Sequence, residues 1–252
     1  MGLIMTDTSV PTRFTESDFR VGRVLNRTAS VFSRNFLTFF IVTAVASLPL
    51  LLFKSPTETG SVSGQAIALF FVGLFLAVIL YTLSQAIVLY GAFQDMRGRP
   101  VNLGESLQVG LNRFFAIVGL AIVMGILAML GFILLIVPGL ILLTMWFVAT
   151  PVCVVERLGP NASLRRSSQL TKGHRWKIFG LMLVLLIISM AVTPTIEYAL
   201  AAIGGSMLSL IGNVIWNGVW GAFYAISVVV TYHDLRVAKE GIDIEQIAAV
   251  FD

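Results

Sequence analysis

FFAIVGLAIVMGILAMLGFILLIVPGLILLTMWFVATPVCV, residues 114–154, runs for 41 residues without Asp, Glu, Lys, Arg or His. A bilayer core about 30 Å thick takes about 20 helical residues, each rising about 1.5 Å. The segment is therefore long enough for two crossings and too long for one. Pro138-Gly139 lies between its halves, where proline cannot donate to a helix and glycine permits a tight turn. The expectation is two antiparallel helices, 114–137 and 140–154, with a re-entrant pair as the alternative.

Four further uncharged windows flank this one, at 36–53, 66–90, 178–194 and 214–232. Over all 252 residues, 57% are hydrophobic and 12% charged, against about 25% charged in a soluble domain. A water-soluble bundle needs charged outer faces, which these windows lack. The pattern predicts an all-α integral membrane protein with six transmembrane helices in three hairpins. It divides into a cytosolic tail 1–17, a membrane domain 18–235 and a second cytosolic tail 236–252. Residues 198–211 are apolar but short and carry Gly204-Gly205, and they are expected to form a helix packed at the outer surface rather than a seventh span.

Cytosolic flanks of spans carry the excess of Lys and Arg. Arg13, Arg20, Arg23, Arg27 and Arg34 precede the first window, and Arg97, Arg99 and Arg113 fall between the second and third. Arg157, Arg165, Arg166, Lys172, Arg175 and Lys177 fall between the fourth and fifth, and Arg236 and Lys239 follow the sixth. With six spans, sixteen of the seventeen cations share one side and Lys54 alone faces the other. Both termini are therefore expected in the cytosol of a cell with this protein in its inner membrane. The formal charge of +4 comes from these membrane flanks. No Arg-rich helix or aromatic-interleaved basic patch suggests nucleic acid.

A threefold pattern overlies the windows. Each odd-numbered window is preceded by a polar, basic segment, expected as a cytosolic interfacial helix lying on the headgroups. The cations expected to meet anionic lipid are Arg20, Arg23, Arg27, Arg34, Arg113, Arg165, Arg166, Lys172, Arg175 and Lys177. Each even-numbered window ends on an acid followed closely by arginine: Asp95 with Arg97, Glu156 with Arg157 and Asp234 with Arg236. These are expected to act as structural clasps.

Chemistry inside a membrane usually needs ionisable groups at depth, where each costs several kcal/mol, and none of the six windows contains one. No enzyme activity, metal or cofactor is expected. Gln85 and Asn217 could line a solute path, with Pro138-Gly139 as its break, although polar side chains such as these and Ser84 more often bond helix to helix. His174 and His233 lack the further ligands a zinc site needs, and Cys153 in an apolar run reads as a buried thiol. Glu197 reads as a solvated loop acid. Gly119, Gly125, Gly131, Gly218 and Gly221 allow close helix approach, with packing within the chain preferred over a homo-oligomeric contact.

The block Pro138-Gly139-Leu140, Ala149-Thr150-Pro151-Val152, Val155-Glu156, then Leu164-Arg165-Arg166-Ser167, Leu170-Thr171-Lys172-Gly173 and Trp176-Lys177 resembles bacterial six-span proteins related to the glycerophosphoryl diester phosphodiesterase membrane-domain family. The tail Thr231-Tyr232-His233-Asp234-Leu235-Arg236 with Glu240-Gly241-Ile242-Asp243 is similar to the ending of many members, although His233 stands where an aromatic residue is common. The resemblance covers roughly residues 15–248 and implies an inner-membrane protein. In fused members the phosphodiesterase acids and metal ligands belong to a separate soluble barrel. Those residues do not occur in this sequence, so the activity is not carried over.

Overall fold

The computed structural model describes residues 19–52 and 63–240. Expectations placed on the tail 1–17, on Lys54, on the side chain of Glu197 and on the chain past Glu240 lie outside the described residues. Every regular element among those residues is an α-helix. Five helices are long and apolar enough to cross a membrane, or six if the bent pair Val21–Arg34 and Phe36–Leu48 counts as one.

The order is one short helix and two long apolar runs, three times over. The first set is α1 (Val21–Arg34), α2 (Phe36–Leu52) and α3 (Gly64–Met96). In α1, Val24, Thr28 and Val31 are buried while Arg23, Asn26 and Arg34 face out, a one-sided pattern of helical period. The chain then turns by 90° at Asn35 into α2, whose composition is apolar all round.

The second set is α4 (Leu103–Asn112), α5 (Phe114–Leu134) and the pair α6 (Ile136–Trp146) and α7 (Ala149–Val155). Asn102 caps α4 by accepting from the Glu105 amide at 3.1 Å. The turn from α5 to α6 comes earlier than Pro138-Gly139, at the extended residue Leu135. Pro138 instead occupies the first turn of α6, where its missing N–H would have had no helical partner. Gly139 has a different reason to be small. A Cβ there would lie 2.6 Å from the Phe132 ring, and one on Gly131 would lie 3.1 Å from the Gly139 backbone. The break between α6 and α7 has its own proline: Pro151 cannot donate to the carbonyl of Phe147.

The third set is α8 (Pro160–Thr171) and α9 (Arg175–Glu240), which breaks at Gly205 with φ 65°. Its arms, Arg175–Leu200 and Ile211–Glu240, fold against each other. Trp216 Nε1 donates to Thr193 Oγ1 at 2.8 Å, and Leu200 packs where a Cβ on Gly212 would stand. The expected separate surface helix at 198–211 is therefore corrected: this stretch continues both arms to a glycine reversal. Glycine adopts that positive φ without steric cost.

Burial concentrates at the end of the bundle where the short helices lie. Phe19, Val24 and Val31 pack with Val88 and Leu89 of α3, Val148 and Val152 near α7, Leu164 and Leu170 of α8, and Ile226, Tyr232 and Leu235 of α9. The opposite ends of the long helices expose their apolar side chains, among them Phe71, Phe75, Ile133, Leu134 and Ile203.

Candidate functional site

Each short helix lies across the exits of long ones, and polar side chains make the joints. At the α1–α2 bend, Arg34 Nη2 donates to Asp95 Oδ2 at 2.6 Å and Asn35 Nδ2 to Asp95 Oδ1 at 2.8 Å. One face along α1, Arg27 pairs with Asp234 at 3.3 Å and donates to His233 Nδ1 at 3.2 Å.

The largest network joins α7, α8 and α9. Arg166 Nε donates to Glu156 at 3.0 Å, and its Nη2 bonds Glu240. Arg236 pairs with Glu240 at 3.0 Å and donates to the Tyr232 hydroxyl at 3.3 Å, which donates in turn to Glu156 at 2.9 Å. Burial disfavours every charge here, yet the mutual hydrogen bonds and opposite charges outweigh it. They hold the Glu240 carboxyl below its ordinary range and push the Arg166 and Arg236 guanidinium groups further up. A fourth joint holds α4: Tyr90 and Gln94 at the exit of α3 each donate to Glu105 at 2.7 Å.

The three expected acids are thus all engaged, but with arginines of the short helices α1 and α8 rather than with the arginines beside them in sequence. Residues one or two apart point to different sides of a helix. Arg97 lies 5.7 Å from the Phe93 ring centroid, exposed Arg157 takes a left-handed φ of 58°, and Arg236 bonds Glu240 four residues on. The cations divide as a result. Arg27, Arg34 and Arg166, expected at lipid headgroups, are bound to acids of the chain itself, because the exits bring those acids within reach. Arg20, Arg23, Arg165, Lys172 and Lys177 are exposed, while Arg113 and Arg175 are half-buried at the starts of α5 and α9.

Gln85 and Asn217 have different surroundings. Gln85 donates to the Gly221 carbonyl at 3.2 Å and borders a cavity of about 190 Å³ with Tyr81, Thr82, Thr150 and Tyr224. Exposed Asn217 bonds the Asn213 carbonyl one turn back. Gly218 and Gly221 of α9 pack within the chain: a Cβ on Gly218 would meet Phe40 and Ala44, and one on Gly221 would meet Gln85.

Sequence reasoning passed over Glu105, Glu240 and Thr43, whose hydroxyl bonds the Gly218 carbonyl at 2.6 Å. The first two had local signals, Asn102 three residues before Glu105 and Arg236 four before Glu240. Thr43 had none. Among the described residues, no three His, Cys, Asp or Glu side chains stand close enough to hold a metal ion. Comparison with protein-family models, curated proteins and solved structures gives no match for this chain.

Proposed function

We propose that this is a non-enzymatic, six-span protein of a bacterial inner membrane, with both termini cytosolic. Its clasped basic end rests on anionic lipid headgroups as a docking or envelope-maintenance unit. The observation that carries this reading is the one-sided charge: the cations flank the apolar helices at the end where α1, α4 and α8 pack. Arginines bound to internal acids fix the short helices to the bundle, and exposed Arg165 and Lys172 stand at the same end, where they would meet phosphate. The resemblance of the block around Arg165 to six-span membrane-domain proteins agrees with this.

The test is to purify the full chain in mild detergent and quantify the lipids that stay with it. Anionic phospholipid enriched over its share of the host membrane is expected, and a bulk composition overturns the reading. A reporter fused near Arg165 should respond as cytosolic, and a periplasmic response would reverse the orientation. Turnover of glycerophosphodiesters by the purified protein would make it an enzyme after all.

The cavity beside Gln85 favours a second reading, a conduit for a small or lipid-like solute. Cysteine placed at Gln85 and at Asn217 separates the two. Labelling of both positions from water supports a conduit, and protection at both removes it.

A further inference from the structure

Between α6 and the start of α9 lies a groove that the clasps do not use. Val137, Leu140, Ile141 and Thr144 form one wall, Arg175, Trp176 and Phe179 the other, and its volume is about 380 Å³. That is within the range of small-molecule sites, about 300–1,000 Å³. Arg175 is the one charged residue in its lining. Its Nη2 reaches Ser168 Oγ only at 3.5 Å, and its Nε is buried and donates to no atom of the described chain. A buried guanidinium N–H with no acceptor is costly, and α9 brings no acid in its first turn to supply one.

The groove has a direction. Thr171 at the end of α8 bonds the Met145 carbonyl, which sets the Thr144 end of the wall beside the α8–α9 join, where Lys172 is exposed and Arg175 begins α9. From there the apolar wall leads to Val137, next to the α5–α6 turn. Trp176, 86% exposed, stands at the cationic end, as amphipathic indoles do at the level of headgroups.

We infer that this groove holds one anionic glycerophospholipid, with its phosphate on Arg175 and an acyl chain along Ile141, Leu140 and Val137. The occupant follows from charge and shape together, the one charged side chain of the lining at one end of an otherwise apolar channel. A zwitterionic lipid would bring its own cation to the same place and gain less. This inference rests on the lipid-docking reading and makes it specific to one site.

The full chain in mild detergent is titrated with phosphatidylglycerol, and separately with phosphatidylcholine of the same chains, and bound lipid is counted by native mass spectrometry. Wild type retains phosphatidylglycerol preferentially. Arg175→Gln weakens that retention about tenfold, the scale of one hydrogen bond to a charged group. Ile141→Trp, which fills the channel, lowers retention of both lipids, whereas Arg99→Gln, at an exposed position beyond α3, changes little. Deacylated glycerophosphoglycerol fails to displace the lipid.

Equal retention by wild type, Arg175→Gln and Ile141→Trp overturns the site but leaves the wider lipid reading standing. No preference for phosphatidylglycerol in wild type overturns both. Displacement by the deacylated headgroup leaves an anion site without the channel, and a change of oligomeric mass on Ile141→Trp hands the groove to a second copy. Either result sinks the inference. Should those two variants lose the wild-type elution profile, Trp176→Ala decides in their place, since an exposed side chain leaves the core intact. Weaker retention then supports the site and unchanged retention removes it.

Discussion

In α3, Ala86, Val88, Leu89 and Ala92 are buried, while Leu69, Phe71, Val72 and Phe75, several turns earlier on the same helix, stand exposed. The second arm of α9 repeats the gradient, from exposed Ile215 to buried Ile226, Val229 and Val230. On the membrane reading, the two ends of each helix face different solvents. Lipid tails reward burial of a leucine no more than another helix does, so the arms need only close approach and backbone-satisfying bonds. At the basic end water is present, and apolar burial and ion pairing both contribute. Stability should therefore reside at the clasped end, and substitutions along the gradient can break that claim.

The largest effect is expected at Tyr232, fully buried with its hydroxyl between Glu156 and Arg236. Tyr232→Ala should cost about 4 kcal/mol, the scale of emptying a buried aromatic site, while Tyr232→Phe should cost about 1 kcal/mol for the hydrogen bonds alone. Unfolding of the micelle-embedded protein by a denaturing detergent measures both. A loss for Tyr232→Ala no larger than that of an arm residue would remove the distinction between the ends.

Gly218 tests what holds the arms. A Cβ there would lie 2.9 Å from the Phe40 ring and 3.1 Å from the Ala44 Cβ, so Gly218→Leu should cost about 2–3 kcal/mol by overpacking α2 against α9. Gly125, with nothing within 4 Å of its Cβ position, should accept alanine and gain up to about 1 kcal/mol from helix propensity. Equal responses would mean that close approach does not organise the arms.

The same two ends differ in how far the sequence discloses them. Uncharged windows and the joins at Asn35, Arg113 and Arg175 are local features, and α2, α5 and the arms of α9 lie where the windows predict. The clasps are not local: Arg34 meets Asp95 and Arg166 meets Glu240 across long stretches of chain. Adjacent acid and arginine drew attention to the right acids and the wrong partners, since helical geometry separates neighbours. The pair Gly204-Gly205 marks 198–211 as unfit for a span, but only the positive φ of Gly205 shows that the chain turns back there.

Within the clasp, charge removal should matter less than emptying the core. Glu156→Gln leaves Arg166 its bond to Glu240, so a loss of about 1–2 kcal/mol is expected. No change in the unfolding midpoint would mean that the Arg166–Glu156 bond contributes nothing to holding α8. A pH series addresses Glu240. Its folded carboxyl titrates below the ordinary range, so its contribution is full above the unfolded pKa and disappears as pH falls through the lower folded one. Stability should therefore drop on acidification, and Glu240→Gln should flatten that part of the profile. A profile unchanged by the substitution would assign the acid sensitivity to other carboxylates.

The smallest effects belong to the exposed arm side chains. Phe75→Ala and Ile133→Ala remove large apolar groups, 66% and 73% exposed, that touch little of the protein. In a micelle the detergent tails close over the loss, so each should fall within about 0.5 kcal/mol of wild type. The same truncation of a buried residue leaves a cavity that rigid neighbours cannot fill. A cost of several kcal/mol at Phe75 would therefore show that something solid, and not fluid tails, covers that face. A second copy of the chain would then be the first candidate, and the mass of the detergent-solubilised particle would decide it.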